Sequence, residues 1–344
     1  MKILVDIGHP AHVHYFKNIY KEMSQQGHSF LFTARKKEVS HELLKAYNIP
    51  FTDRGTGSDS FLGKFLYLPK ANWILFKEAR KFKPDLFMSF SSPYAAQVSK
   101  LFRKPHIAFD DTEHAKLGRV MYRPFTDVVL SPDSYRGEKV TKQTLFNGYM
   151  ELLYLHPNRF TPDKRVIESL GVKEGEKYVV LRFVSWNATH DAGHSGISLE
   201  NKRKAVEAFS KYAKVFITSE NKLPDDLEKY RVKIDPHQIH HVLAFASLFY
   251  GESATMASEP AVLGTPAIYL DNDGRGYTDD LQKRYELVYN FTESEDDQVR
   301  SIEKGREILE LHNSTFMYQK KREILLKERI DVTAHVIDIL KKYS

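Results

Sequence analysis

The arrangement of strands and helices is clearest in residues 250–268, which read YGESATMASEPAVLGTPAI. A short apolar strand leads into a turn that contains Gly251, and a helix then begins at Ser253 and Thr255. Gly264 ends that helix before a second apolar strand. The N–H groups and hydroxyls at such a helix start suit a diphosphate. This strand–helix–strand unit predicts a parallel sheet covered by helices.

Two other residues of this stretch, Glu259 and Pro260, have properties that predict a ligand contact and a change in the helix. The carboxylate of Glu259 can accept hydrogen bonds from both hydroxyls of a ribose. Pro260 has no N–H group, so we expect it to kink or shorten the predicted helix 254–263. The stretch is therefore the strongest candidate for a ligand site in the sequence.

The same alternation of apolar runs and helical periods extends along the chain, with a mainly helical, charged segment at 295–343. The predicted strands are 3–7, 29–33, 86–90, 107–109, 127–130, 178–183, 215–218, 248–250, 267–270 and 288–291. The predicted helices are 12–26, 36–47, 70–82, 93–102, 114–122, 200–212, 223–230, 239–245, 254–263 and 278–286.

The length of 344 residues suggests two domains rather than one. Prolines and glycines interrupt the periodic pattern between residues 147 and 177, which marks a connection. The predicted fold is therefore α/β, with two facing, doubly wound, Rossmann-like domains. The predicted domains are 1–155 and 156–324, with a C-terminal helix, 325–344, as a candidate to complete the first.

The composition is that of an ordinary globular protein. Hydrophobic residues make up 42% and charged residues 28%, which excludes a disordered or collagen-like chain. The absence of cysteine removes disulfides, thiolate ligands and thiol nucleophiles, and favours a cytoplasmic setting. No apolar run suits a signal peptide or a membrane span, so we expect a soluble protein. The net charge of +6 permits a phosphorylated or polyanionic partner.

Open parallel sheets bind ligands at the carboxyl ends of their strands, so the loops after strands are the candidate sites. After the first predicted strand, Gly8 permits a tight turn, and His9, His12 and His14 follow. These imidazoles can donate or accept protons near neutral pH. The alternative is that they cap the next helix or lie in solvent. The loop lacks the Gly-x-Gly-x-x-Gly spacing of a dinucleotide site.

Two further loops of the first half are polar. The loop after the third predicted strand has hydroxyls at Ser91 and Ser92, which either contact a substrate or cap the next helix. Three carboxylates follow the next strand: Asp110, Asp111 and Glu113. Crowded carboxylates raise one another's proton affinity, which suits general acid or base catalysis. Acidic residues also stabilise helix N-termini, which is the structural alternative.

In the second half, Arg182 lies at the end of a predicted strand. Its planar guanidinium can pair two phosphate oxygens, or it can form an ordinary salt bridge. His190 and His194 have the spacing of two metal ligands on a helix, but Gly193 between them favours a loop over a metal site.

Three short motifs support a resemblance to a known family: Gly-His-Pro-Ala-His at 8–12, Asp-Thr-Glu-His at 111–114 and Ala-Ser-Glu-Pro at 257–260. With them, the chain resembles an uncharacterised microbial family, a domain of unknown function with the GT-B fold. It is also similar to the lipid-intermediate N-acetylglucosaminyltransferase of peptidoglycan synthesis and to the non-hydrolysing UDP-N-acetylglucosamine 2-epimerase.

The resemblance implies a nucleotide-sugar site in the C-terminal domain and an acceptor side in the N-terminal domain. In it, Glu259 matches the ribose-binding glutamate, and Ser253 with Thr255 matches the helix start that meets the diphosphate. The substrate-binding candidates are Gly8, Ser91, Arg182, His190, Ser253, Thr255, Glu259 and Gln282. The catalytic candidates are His9, His12, Asp111 and Glu113.

Two departures from the epimerase limit the expected reaction. In the loop after predicted strand 86–90, the epimerase has an aspartate, whereas this chain has Ser91 and Ser92. The epimerase also has a His-Arg-Arg-Glu-Asn segment where residues 187–191 of this chain read Asn-Ala-Thr-His-Asp. Glycosyl transfer needs fewer acid and base groups than epimerisation. We therefore expect a glycosyltransferase that needs no metal or cofactor and uses a nucleoside diphosphate sugar, with UDP as the favoured nucleotide.

The expected acceptor is a glycan or a lipid-linked molecule in surface glycan assembly. We expect the protein to act in the cytoplasm and at the inner face of the membrane. One alternative is an epimerase or hydrolase that acts on the nucleotide sugar alone. Another is a non-catalytic binding protein of the same fold. Lysines and arginines are scattered among acidic residues, which argues against nucleic acid as a partner.

Overall fold

The computed structural model describes residues 1–57, 61–114, 116–184, 195–219 and 222–343. The chain forms two compact units, Met1–Tyr154 with Ile330–Ser344 as unit 1 and Leu155–Arg329 as unit 2. Each unit has a parallel sheet and associated helices, which confirms the α/β class with two Rossmann-like domains. Among the described helices, none combines the length and the apolar character needed to cross a membrane.

Unit 1 contains a seven-stranded sheet in the order β3-β2-β1-β4-β5-β6-β7, in which all neighbouring strands are parallel. Its strands are β1 (Lys2–Ile7), β2 (Ser29–Ala34), β3 (Phe51–Asp53), β4 (Leu86–Phe90), β5 (His106–Phe109), β6 (Val128–Pro132) and β7 (Gln143–Phe146). Its first helices are α1 (Pro10–Gln25), α2 (Ser40–Ala46), α3 (Phe61–Phe82), α4 (Pro93–Leu101) and α5 (Lys116–Tyr122).

Unit 2 contains a five-stranded parallel sheet in the order β12-β11-β10-β8-β9. Its strands are β8 (Tyr178–Phe183), β9 (Lys214–Ser219), β10 (Leu248–Gly251), β11 (Ala267–Leu270) and β12 (Val288–Phe291). Its helices are α6 (Lys164–Ser169), α7 (Leu199–Ser210), α8 (Asp225–Glu228), α9 (Ile239–Phe245), α10 (Ala254–Leu263), α11 (Gly276–Tyr285), α12 (Glu295–Glu310) and α13 (Ser314–Glu328).

The chain then returns to unit 1 and ends in helix α14 (Val332–Lys341), which buries its apolar face. The N–H of Ile330 donates to the carbonyl of Asn147 at 3.0 Å. The hydroxyl of Thr333 donates to the carbonyl of Leu153 at 2.6 Å. Unit 1 is therefore built from two segments that are far apart in sequence.

All ten predicted strands are present, within two residues of their predicted bounds. The sequence prediction missed β3 and β7, which are the two edge strands of the seven-stranded sheet. They have only three and four residues, and each contains polar residues, so neither shows an apolar run. Helix α3 begins at Phe61, earlier than predicted, and continues through Pro69.

Pro260 was expected to kink or shorten its helix, and it does not shorten it, because α10 extends from Ala254 to Leu263 as predicted. Pro260 and the three residues after it are all buried. Burying an apolar side chain contributes about 1.5–3 kcal/mol, so several of them together offset the hydrogen bond that proline removes.

A buried ion pair lies at the carboxyl end of β1, between Asp6 and Arg54, with exposed fractions of 0% and 1%. One oxygen of Asp6 accepts from Nε of Arg54 at 2.8 Å and from the hydroxyl of Thr33 at 2.7 Å. The other accepts from Nη2 of Arg54 at 3.1 Å and from the hydroxyl of Ser92 at 2.6 Å. The hydroxyl of Tyr67 lies 3.1 Å from Nη1 of Arg54. This network joins β1, β2 and the start of α4.

His106 is fully buried in the same sheet, and both of its ring nitrogens are hydrogen bonded. Nδ1 lies 2.9 Å from the hydroxyl of Thr126, which itself donates to the carbonyl of Tyr122. Nδ1 therefore carries the proton, and Nε2 accepts from the hydroxyl of Ser89 at 2.9 Å. Burial lowers the pKa of His106 to about 3, so the folded protein keeps this ring neutral.

Replacing His106 by glutamine is expected to reduce the acid sensitivity of the fold. In the unfolded chain this histidine takes up a proton below about pH 6.5, whereas in the folded protein it does so only near pH 3. Between these values the free energy of unfolding falls by about 1 kcal/mol per pH unit because of this group. Melting curves at about pH 7 and about pH 4 should show a smaller drop for the variant. Equal drops would contradict this account.

Candidate functional site

Three loops of unit 1 lie side by side at the carboxyl edge of its sheet. Strands β1, β4 and β5 are consecutive neighbours, so the loops that follow them reach the same edge. Of the predicted site residues, these loops and the first turn of α1 carry Gly8, His9, His12, Ser91, Asp111 and Glu113.

His12 is held as a neutral ring at the start of α1. Its Nδ1 accepts a hydrogen bond from the N–H of Gly8 at 3.2 Å, so the neutral ring carries its proton on Nε2. Burial, followed by the positive charges of His9, Lys37 and Arg54, lowers the pKa of His12 well below its usual value. His12 is therefore suited to donate a hydrogen bond to a developing negative charge, and less suited to act as a base.

The other two histidines of this segment have structural contacts. Nδ1 of His9 accepts from the N–H of Ala11 at 3.2 Å, so His9 is the N-cap of α1. His14 is buried, with Nδ1 3.3 Å from the hydroxyl of Tyr47 and its ring stacked on Tyr154. The alternative interpretation was right that one histidine caps the helix, but His14 lies in the protein interior and not in solvent.

The serines after β4 are held by the protein itself. Ser92 caps α4 by accepting from the N–H of Ala95 at 3.3 Å. The hydroxyl of Ser91 donates to the carbonyl of Phe109 at 3.0 Å. Ser91 also has a φ of +47°, a left-handed conformation that costs a non-glycine residue roughly 1–3 kcal/mol. Strain of this kind at the end of a strand is frequent in functional sites.

Asp110 fixes the shape of the acidic loop that follows β5. Its buried carboxylate accepts from the hydroxyl of Tyr122 at 2.5 Å and from the N–H of Thr112 at 3.1 Å. Nη2 of Arg123 lies 3.5 Å away. With these partners, Asp110 fixes the position of the loop.

Asp111 is the carboxylate of this loop that is best suited to exchange a proton. Burial raises its pKa well above the usual value, and the negative charges of Glu151, Asp110 and Glu113 add to this effect. The hydroxyl of Thr112 donates to it at 3.2 Å. A buried carboxyl with a raised pKa is typical of a general acid or base.

Glu151 was missed by sequence reasoning. It is 2% exposed and lies in the short 3₁₀ turn Met150–Leu153, some forty residues beyond the acidic loop. Its neighbours in the sequence are apolar, and an acidic residue within an apolar segment is the signal that could have identified it.

Glu113 borders a groove of about 850 Å³ on unit 1. Its Oε1 accepts from the N–H of Arg136 at 3.3 Å. Arg119 donates to the carbonyl oxygens of Thr112 at 3.0 Å and Glu113 at 2.7 Å, which joins the acidic loop to the groove wall. The wall combines cationic and aliphatic side chains, among them Arg119, Arg123, Arg136, Lys142, Val120 and Val140. Such a lining suits an anionic ligand with an apolar portion.

In unit 2, the candidate residues lie at the carboxyl ends of the neighbouring strands β8 and β10. Gly251 is paired with Arg182, and a Cβ at this glycine would collide with the carbonyl oxygen of Arg182. Ser253 caps α10, with its hydroxyl accepting from the N–H of Met256 at 3.4 Å. Thr255 lies in the first turn. The structure therefore brings an arginine and a helix N-terminus, the two usual anion-binding elements, to adjacent strand ends.

Glu259 lies farther along α10 and is almost fully buried. Its Oε1 is 2.9 Å from Nε2 of His240, which is in α9. Both side chains are enclosed, with exposed fractions of 6% for Glu259 and 1% for His240. No motif or spacing in the sequence predicted this pair.

The last two predicted ligands are Gln282 and His190. Gln282 uses its Oε1 to accept from the N–H of Asn290 at 2.6 Å and from its side-chain amide at 2.8 Å, which ties α11 to β12. His190 lies in the segment 185–194, outside the described residues, as does His194. Within the ranges that are described, the His, Asp and Glu side chains form no group of three that could hold a metal ion.

Two further buried carboxylates were not predicted, and both bind backbone next to this segment. Glu252 accepts from the N–H of Val184 at 2.7 Å and from the N–H of Ile197 at 2.5 Å. Glu293 accepts from the N–H of Gly196 at 2.9 Å. Burial raises the pKa of Glu252. Each follows the end of a strand closely, which is the signal that could have drawn attention to them.

Several solved structures have the same architecture. An S. aureus MnaA–UDP co-structure has a TM-score of 0.71 at 12% identity and covers 99% of this chain and 96% of that chain. UDP-GlcNAc 2-epimerase from Methanocaldococcus jannaschii, in complex with UDP-GlcNAc and UDP, gives 0.66 at 13%, covering 94% and 99%. The spinosyn rhamnosyltransferase SpnG, complexed with spinosyn aglycone, gives 0.61 at 13%, covering 98% and 100%. At these identities the likeness establishes the GT-B fold alone.

Sequence comparison gives a relative and a family. The uncharacterized protein MJ0665 of Methanocaldococcus jannaschii is 22% identical over 281 residues, which span 78% of this chain and 81% of the relative. The family profile described as "Protein of unknown function (DUF354)" matches residues 1–291.

Proposed function

The chain belongs to the DUF354 family, and from this premise we propose that it is a glycosyltransferase that uses a nucleoside diphosphate sugar, with UDP as the nucleotide. The observation that carries the proposal is in unit 2, where Arg182 and the N-terminus of α10 lie at the carboxyl ends of neighbouring strands and the buried Glu259 lies farther along the same helix. Structural neighbours of this chain were solved with UDP or UDP-GlcNAc, which supports the same class of donor.

In the proposed donor site, Arg182 and the first turn of α10 hold the diphosphate. The guanidinium supplies two parallel N–H groups, and Ser253 and Thr255 supply hydroxyls beside the helix N–H groups. The carboxylate of Glu259 accepts hydrogen bonds from the ribose hydroxyls. As the bond between the sugar and the diphosphate breaks, the negative charge that develops on the leaving oxygen is stabilised by the same cationic and dipolar groups.

In the proposed reaction, Asp111 is the base and accepts the proton of the acceptor hydroxyl. The acceptor oxygen forms a bond to the anomeric carbon of the sugar, the bond from that carbon to the diphosphate breaks, and UDP leaves with the electron pair. Glu151 and Glu113 support Asp111 by raising its proton affinity. His12, as a neutral donor through Nε2, supports the negative charge of a bound oxygen.

The proposed acceptor is a glycan or a lipid-linked molecule used in surface glycan assembly at the cytoplasmic face of a membrane. The groove beside Glu113 supports an acceptor that carries both an anionic group and an apolar portion. The net charge of +6 supports an approach to an anionic membrane surface.

A second candidate function is epimerisation or hydrolysis of the nucleotide sugar without an acceptor. It is favoured by the cluster of Asp111, Glu113 and Glu151, which offers several groups that can exchange protons. NMR spectra of UDP-GlcNAc incubated with the protein alone separate the two functions. A transferase leaves the donor nearly intact, whereas an epimerase or hydrolase converts it.

Replacing Glu259 by glutamine is expected to weaken UDP binding about tenfold, because a charged acceptor of two hydroxyl hydrogen bonds is lost. Isothermal titration calorimetry with UDP measures the change. The matched control is Glu323→Gln, since Glu323 pairs with Lys320 on the surface of α13 and should leave the affinity unchanged. The proposal fails if the natural protein binds no UDP or UDP-sugar, or if the Glu259 variant binds UDP as tightly as the natural protein.

A further inference from the structure

The hydrogen bond between His240 and Glu259 joins two neighbouring helices inside unit 2. Helix α9 packs against α10, and the distance from Nε2 to Oε1 is 2.9 Å. Burial of a carboxylate is costly unless it is hydrogen bonded, and Glu259 lies among the apolar and small residues of α10. A directional bond to one oxygen restricts rotation of the carboxylate about its last bond.

We propose that His240 is a positioning residue that orients Glu259 toward both ribose hydroxyls, and so makes the site specific for ribonucleotides over deoxyribonucleotides. This inference rests on the proposed function, in which Glu259 binds ribose. A carboxylate fixed in one plane presents its oxygens to a pair of adjacent hydroxyls at the same time. A carboxylate that turns freely must lose that freedom when the nucleotide binds, which weakens binding.

The next residue along α9 provides a matched comparison. His241 is chemically identical, but its Nδ1 accepts from the N–H of Asp163 at 3.0 Å and its ring lies 4.9 Å from that of Phe160. These two contacts of His241 are with the chain segment before α6. A change at His241 therefore controls for the loss of a histidine from the same helix.

The substitutions at His240 separate the hydrogen bond from simple packing. In His240→Gln, the side-chain amide nitrogen can reach the position of Nε2 and donate to Glu259. In His240→Asn, the amide is too short to do so, although the side chain is equally polar. His240→Leu removes the donor and keeps an apolar volume. If the leucine variant does not fold, the glutamine and asparagine variants still decide the question.

Calorimetry with UDP, 2′-deoxy-UDP and 3′-deoxy-UDP is the test. We expect the natural protein, His240→Gln and His241→Gln to bind UDP about tenfold more tightly than either deoxy analogue. In His240→Asn and His240→Leu, the affinity for UDP should fall about tenfold while the affinities for the deoxy analogues change by less than about twofold. A merely structural role would weaken all three nucleotides together.

The results also distinguish this inference from the function on which it rests. If the natural protein does not prefer UDP, or if Glu259→Gln keeps that preference, the proposed ribose site is wrong. If the natural protein and Glu259→Gln behave as expected but His240→Asn still prefers UDP like the natural protein, only the role of His240 is wrong.

Discussion

Replacing Arg54 by methionine is expected to lower the free energy of unfolding by about 3–5 kcal/mol. The substitution leaves the carboxylate of Asp6 in the interior without its cationic partner, although methionine fills a similar volume. Asp6 is 0% exposed, and its remaining hydrogen bonds to Thr33 and Ser92 do not neutralise its charge. Urea denaturation, with the transition of unit 1 analysed separately, measures the change.

The matched control is Arg203→Met, which removes an ion pair of the same chemistry from the surface. Nε of Arg203 lies 2.8 Å from Asp226, the same distance as between Nε of Arg54 and Asp6. The side chains of Arg203 and Asp226 are, however, about half exposed. Such surface pairs contribute little to stability, because both charges stay in contact with water. Adding Asp6→Asn to Arg54→Met should recover much of the lost stability, because the uncompensated charge is then gone. If Arg54→Met and Arg203→Met lowered the free energy of unfolding equally, burial of the pair would not be the cause of the lost stability.

Replacing Asp111 by asparagine is expected to reduce sugar transfer by about 100-fold or more, because the proposed base is lost. The rate of the natural protein should rise with pH through the raised pKa of Asp111, since only the ionised carboxylate accepts a proton. Glu151→Gln should move this rise to lower pH, because it removes a negative charge that raises the pKa of Asp111. A pH profile that is unchanged in Glu151→Gln would argue against Asp111 as the base.

Replacing Asp111 by asparagine is also expected to stabilise the fold at neutral pH and above. The folded protein holds a proton on Asp111 more tightly than the unfolded chain does. This group therefore reduces the free energy of unfolding as the pH rises above the pKa that Asp111 has in the unfolded chain. Asparagine cannot ionise, so the melting temperature of the variant should exceed that of the natural protein at about pH 8. The difference should shrink toward about pH 4, where the aspartate is protonated in the folded protein. A variant that is less stable at both pH values would contradict the raised pKa.

The sequence predicted most of the fold because buried parallel strands are short, apolar runs between helical periods. Strands β4, β8 and β11 have their predicted bounds for this reason. Edge strands such as β3 do not need that pattern, since they pair on one side only and are shorter. Pro260 shows the opposite limit, because packing around a helix can override a strong local rule.

The candidate site was only partly predictable, because its key contacts join residues that are distant in sequence. Asp111 stood out through its acidic neighbours, but Glu151, which raises its pKa, lies in a different segment. The partnership of Asp6 with Arg54 joins the end of one strand to the residue after another. No periodicity or spacing rule connects residues across such distances, so these pairs emerge only when the sheet is assembled.

The return of the chain to unit 1 through α14 also determines the order in which the protein can fold during synthesis. Unit 2 is continuous, from Leu155 to Arg329, so all of its residues leave the ribosome before α14 does. The apolar positions of unit 1 that α14 covers stay uncovered until Val332–Lys341 has been made. The unit that is synthesised first is therefore the last to be completed, and part of its apolar surface stays exposed while unit 2 is made.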